Sequence, residues 1–124
     1  MTPVRGREDN MDSILLTIKK MIGGWENEDA FDTDLIVHIN SYLNTLNQLG
    51  VGPDDPFVIT GSEETWEDFL GEDIKKLELV KTYLYANVKI AFDPPSTSFG
   101  IDALKEIAKE AEWRLNVMVD PKEE

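Results

Sequence analysis

Apolar residues recur at helical spacing in five stretches of the chain. At about 100° per residue, Met11, Ile14, Leu15, Ile18, Met21 and Ile22 fall on one arc. That arc covers roughly a third of a turn, the stripe of a helix packed on one side. A helix over 12–22 is predicted, with Asp12 or Ser13 capping its start and Gly23-Gly24 stopping it. A second helix is predicted from about 33 to 49, where Leu35, Ile36, Ile39, Tyr42, Leu43, Leu46 and Leu49 share a face. Asp32 or Thr33 caps it and Gly50 closes it. The GVGPDDP run that follows is a turn-and-loop signal. Phe57-Val58-Ile59-Thr60 is β-prone but too short to make a sheet of its own. Ser62 or Thr65 can start a short third helix carrying Trp66, Phe69 and Leu70.

The fourth stretch, from about 72 to 92, has a different pattern. Leu77, Val80, Leu84, Val88 and Ala91 form one stripe, and Leu79, Tyr83, Ala86 and Ile90 a second. Only a narrow polar line remains, made by Lys75, Glu78, Thr82 and Lys89. A helix apolar most of the way round must be covered on most sides. Pro94 ends it, because the residue before a proline avoids the helical region. The fifth helix is predicted from 98 to 118, capped by Thr97 or Ser98, with Leu104, Ile107, Ala108, Ala111, Leu115 and Met118 as its stripe. Glu110 and Arg114 form a favourable i,i+4 pair on it. The predicted fold class is all-α: a small bundle of about five helices with an irregular loop around residues 50–62 that has room for a short strand. Residues 1–10 read as a flexible extension, 11–119 as one helical domain and 120–124 as a charged tail.

Charge sharpens this picture. The chain of 124 residues carries 25 acidic and 12 basic side chains, for a net charge of −13. Such a balance argues against gripping a phosphate backbone or an anionic membrane. With no cysteine there is no disulfide, thiolate metal site or thiol nucleophile. The single histidine, His38, sits at the edge of the second helix's stripe and reads as a boundary residue. Glu26, Glu28, Asp29, Asp32 and Asp34 lie in one stretch without the glycine and spaced Glu of a calcium loop. Asp54 and Asp55 suit a turn, and Glu63, Glu64, Glu67 and Asp68 suit the start of the third helix. All these carboxylates are expected to be solvated. No phosphate-cradling loop or nucleophile elbow occurs, so no enzyme, cofactor or metal is expected.

Trp113 is the informative residue. It lies about 180° from Leu104 on the fifth helix, among Glu106, Lys109 and Glu110, with Val117 one turn later. A large aromatic on a polar face needs a cover, and such anchors are enriched at interfaces. The second stripe of the fourth helix, with Tyr83 and Ile90, poses the same question. Together they favour a protein that works by assembly with partners.

Several short motifs also follow one another in a set order: TIKKMIGG, FDTDLIVHINSYLNTLNQLGVGP, TWEDFL, LVKTYLYANVKIAFDPP and EAEWRLNV. In order and spacing this run, from Met11 to Val119, resembles the small head–tail connector (adaptor) proteins of long-tailed bacteriophages. The resemblance implies a helical subunit that assembles with about twelve copies as a homo-oligomeric ring beneath the portal protein. It implies completion of the DNA-filled head and a platform for the tail-side completion (stopper) protein. Double-stranded DNA would pass through the ring without specific binding, and carboxylates lining the channel would repel its phosphates. The stretches 26–34 and 53–68 are candidates for that lining. The protein would sit in the virion neck, after assembly in the host cytoplasm. The resemblance also makes the C-terminal helix a portal-docking element, which here is Trp113, Leu115, Val117 and Val119, with Leu115 expected in the core. The candidate contacts to portal or neighbouring subunit are therefore Trp113, Val117, Val119, Tyr83 and Ile90. The rival reading is an acidic inhibitor that mimics DNA and blocks a nuclease or DNA-binding protein. Its carboxylates should be spaced along a surface like phosphates, whereas here they cluster in loops and caps.

Overall fold

A computed structural model describes residues 12–23 and 29–119. Among them are five α-helices: α1 (Ile14–Gly23), α2 (Asp32–Gln48), α3 (Trp66–Leu70), α4 (Leu77–Phe92) and α5 (Ser98–Met118). A 3-10 turn, Ile74–Lys76, leads into α4, and no strand occurs among the described residues. The all-α expectation holds. Met11, Gly24, Glu26 and Glu28, the extension at 1–10 and the tail at 120–124 lie outside the described residues.

Local chemistry explains most boundaries. The Ser13 hydroxyl accepts from the Leu16 amide at 3.2 Å and starts α1. Leu49 is the last right-handed residue after α2. Beyond it the Gly50 amide donates to Asn47 and the Val51 amide to Leu46, closing a Schellman motif. Gly50 holds φ at +96°, which a side chain would resist. At Gly52, φ +97°, an added Cβ would sit 2.5 Å from the Phe69 ring. The third helix starts at Thr65 with a full capping box: its hydroxyl accepts from the Asp68 amide, and Asp68 accepts from the Thr65 amide. Thr97 caps α5 by accepting from the Gly100 amide at 3.0 Å.

Three expectations need correction. Neither Asp32 nor Thr33 caps α2: the N-cap is Phe31, without a side-chain bond. The Asp32 carboxylate is instead taken by Lys19 at 2.7 Å. The fourth helix starts at Leu77 rather than near Glu72. Gly71 turns the chain out of α3, and Asp73 accepts from the Lys76 ammonium at 2.6 Å, holding a tighter turn first. The Phe57–Thr60 run is no strand. The Ile59 backbone donates to and accepts from the Asn40 side-chain amide, at 2.7 and 3.0 Å. One side chain of α2 thus replaces a neighbouring strand and fixes the irregular loop on the helix.

The core is built round α4. Val80, Leu84 and Val88 meet Ile14, Leu15, Ile18 and Ile22 of α1 and Leu35, Ile39, Leu43 and Leu46 of α2 in one cluster, closed by Ile59, Trp66 and Phe69. The Trp66 indole donates to the Thr17 hydroxyl at 3.1 Å, tying α3 to α1. The Lys89 ammonium donates to the Ile22 carbonyl, occupying the C-terminal end of α1. On its other side α4 carries α5 through a smaller cluster, Ala86 with Leu104 and Ala108. Leu104, Ala108, Ala111 and Leu115 of the predicted α5 stripe are buried. Ile107 and Met118, also in that stripe, are 41% and 38% exposed, because α4 covers only part of the arc. Ala91 is exposed too, at the end of α4.

Candidate functional site

Among the described residues no group of three or more His, Asp or Glu side chains could hold an ion. Asp29 and Asp32 converge instead on Lys19, a side chain only 1% exposed. The expectation that every carboxylate here is solvated fails at Asp32, which compensates a buried ammonium. The sequence offered one signal of this: Lys19 follows Leu15 by four residues and flanks the apolar stripe. Glu64 is likewise structural. Partial burial would raise its pKa, but hydrogen bonds from Thr60 and Gly61 hold it below the usual carboxylate range. His38 is half-buried on α2.

The distinctive surfaces are apolar and lie on two sides of α4. The first is a groove of about 490 Å³ between α3, the 3-10 turn and α4. Trp66, Leu70, Ile74 and Leu77 make its apolar lining, and Asp12, Glu67, Glu72 and Lys81 are its charged residues. Ile74 is 72% exposed, an unusual state for a large aliphatic side chain. The sequence reading missed this groove, because it placed Ile74 inside a continuous helix.

The second is a shallower groove of about 320 Å³ between α4 and α5, lined by Leu79, Trp113, Arg114, Val117 and Met118. Trp113 is 65% exposed and Val117 61% exposed, one helical turn apart. The α5 geometry thus brings these two candidates together on an open surface beside Leu79. Phe99 is another exposed aromatic, near the start of α5, that the pattern did not single out.

The other candidates are less exposed. Tyr83 is 3% exposed and stacks edge-on against Tyr42 at 6.2 Å, so it is a core residue with no surface to offer. Val119 is half-buried and packed on the main core, its Cγ1 3.0 Å from where a Gly50 Cβ would stand. Ile90 is half-buried against the Leu104–Ala108 cluster. Leu115 is fully buried, as expected.

Compared with known proteins, the chain matches the family model for phage connector proteins over residues 14–122, and it belongs to that family. No curated protein and no solved structure gives a significant match.

Proposed function

We propose that this member of the phage connector family is a head–tail connector that closes into a ring under the portal and completes the DNA-filled head. In this reading it presents the platform on which the tail-side completion protein docks. The observation that carries it is the family match, which spans nearly the whole folded domain. The surface supports it: a subunit with two open apolar grooves and an exposed tryptophan on a charged helix is made to be covered.

The role is mechanical, so it asks for no catalytic group. DNA would pass through the ring, and the net charge of −13 keeps phosphates from adhering to the wall. Asp54, Asp55 and Glu63, all exposed on the irregular loop, are the carboxylates we assign to that lining. Asp32, bound to Lys19, and Asp68, bound in its cap, are committed elsewhere. That division also weakens the DNA-mimic alternative, which needs free carboxylates in a regular row.

Electron microscopy of the protein mixed with its portal and the tail-side completion protein tests the proposal. Rings seated on the portal are expected. If the three components associate in no combination, the proposal is wrong.

A further inference from the structure

We infer that the two grooves flanking α4 are the two halves of one contact between copies. Trp113 and Val117 of one subunit enter the groove formed by Trp66, Leu70, Ile74 and Leu77 of the next, and Arg114 faces Glu67 and Glu72. The inference rests on the ring proposed above and adds which surfaces make its joints.

A ring of identical subunits needs a head-to-tail contact, in which two different patches on every chain recognise each other. The geometry of α4 provides them. At about 100° per residue, Leu77 and Lys81, which line the first groove, point about 160° from Leu79, which lines the second. No α5 residue lines the first groove, and no residue of α1 or α3 lines the second. The patches are therefore separate and back to back, as successive joints of a ring must be.

Shape and charge match across the joint. One patch is a shallow, open surface with two large exposed apolar side chains a turn apart; the other is a deeper groove of about 490 Å³ with an indole in its wall. Arg114 is the charged residue lining the Trp113 groove, whereas the receiving groove carries three carboxylates against one ammonium. Arg114 now meets Glu110 at 3.6 Å, and both are more than half exposed. Such a surface pair is weak and free to exchange partners. Docking would also cover Ile74 and Val117, two of the most exposed large apolar side chains described.

The chain has no cysteine, so introduced thiols report without background. Ile74→Cys and Val117→Cys replace exposed side chains and leave the core untouched. With the chain assembled on portal, the variant carrying both substitutions should give a ladder of covalent multimers with a short thiol cross-linker. Each single variant should stay monomeric, and an equal mixture of the two should stop at dimers. Arg114→Glu should weaken ring formation about tenfold or more, and adding Glu67→Arg should restore it. Four outcomes overturn the inference. One is rings visible on the portal without a ladder. Another is Val117→Cys joined to portal instead of to a neighbour. A third is homodimers from a single variant, which report a symmetric contact. The last is a ladder that forms only after residues 1–11 are removed, which would make the chain's own N-terminal segment the occupant. In the first two cases the connector role stands while the joint is wrong. Absence of any association with portal removes the connector role itself.

Discussion

The α1–α4 hub and the α5 arm are both built from amphipathic helices, but they are held in different ways. In the hub, α4 packs against α1 and α2, and Val80, Leu84 and Val88 meet their aliphatic side chains at 0–2% exposure. The arm has 21 residues and four buried positions, two of them alanine, and its helix packing is almost wholly with α4. Burial scales with apolar area, at roughly 25 cal/mol per Å², so the hub supplies most of the folding free energy. The arm contributes less to the fold, and its outer face remains open to partners. The difference teaches that the two sides of one central helix carry unequal shares of the fold.

The hub should break hardest. Leu84 is fully buried at the middle of α4, so Leu84→Ala should cost about 2–5 kcal/mol, read from urea or thermal unfolding. A loss under about 1 kcal/mol would contradict a core centred on α4. Lys19 comes next. Removing one member of a buried ion pair costs about 3–5 kcal/mol, but only the Asp32 Oδ1 that meets Lys19 is itself buried; the Asp32 side chain is 30% exposed and Asp29 94%, so water reaches the rest of both carboxylates. Lys19→Ala should therefore cost about 1–3 kcal/mol, and Lys19→Met, which keeps the aliphatic stem, clearly less. Equal losses would show that packing is irrelevant at this site and charge alone matters.

What could be read from the sequence follows the range of the forces involved. The start of α3 at Thr65, one of two candidates, and both ends of α5 rest on contacts within four residues, and they were legible. Trp113 was legible because α5 is a long uninterrupted helix whose wheel places residues reliably. What the sequence did not show depends on partners distant along the chain. Tyr83 lies against Tyr42, and the half-buried Val119 lies beside the Gly50 turn. Asn40 standing in for a strand acts across 19 residues, and no local pattern announces it. The Lys19–Asp32 pair spans 13 residues, from α1 to the start of α2, so no local pattern announces it either. The groove beside Ile74 was hidden for a different reason: Ile74 lies in a 3-10 turn rather than inside the predicted helix.

Tyr83 stands where hub and arm meet, and pH can sharpen the comparison there. Burial pushes its hydroxyl up to about 12, with Glu112 of α5 and Tyr42 of α2 adding repulsion against the ionised form. A raised pKa means that the neutral phenol is the form the fold prefers. Its contribution is complete below the unfolded value near 10 and is lost as pH rises through about 12. Thermal melts should hold to pH 10 and then fall, and Tyr83→Phe should reduce the fall. An unchanged slope in Tyr83→Phe would assign the alkaline loss to other groups.

The smallest expected change in folding is at the residue with the largest expected effect on assembly. Trp113 is 65% exposed, so truncating it removes little buried area and leaves no cavity in the core. Surface substitutions of this kind stay within about 0.5 kcal/mol. Trp113→Ala should accordingly melt like the parent chain when isolated, yet form fewer rings on portal under conditions where the parent assembles fully. The pairing of the two measurements carries the test, because a destabilised subunit also assembles poorly. A large drop in melting temperature would mean that the arm contributes to the fold through its outer face. The division between a stabilising hub and an assembling arm would then collapse. An unchanged melt with unchanged assembly would leave the division intact and move the joint away from Trp113. Only an unchanged melt with lost assembly fits a tryptophan kept outside its own core to anchor a neighbour.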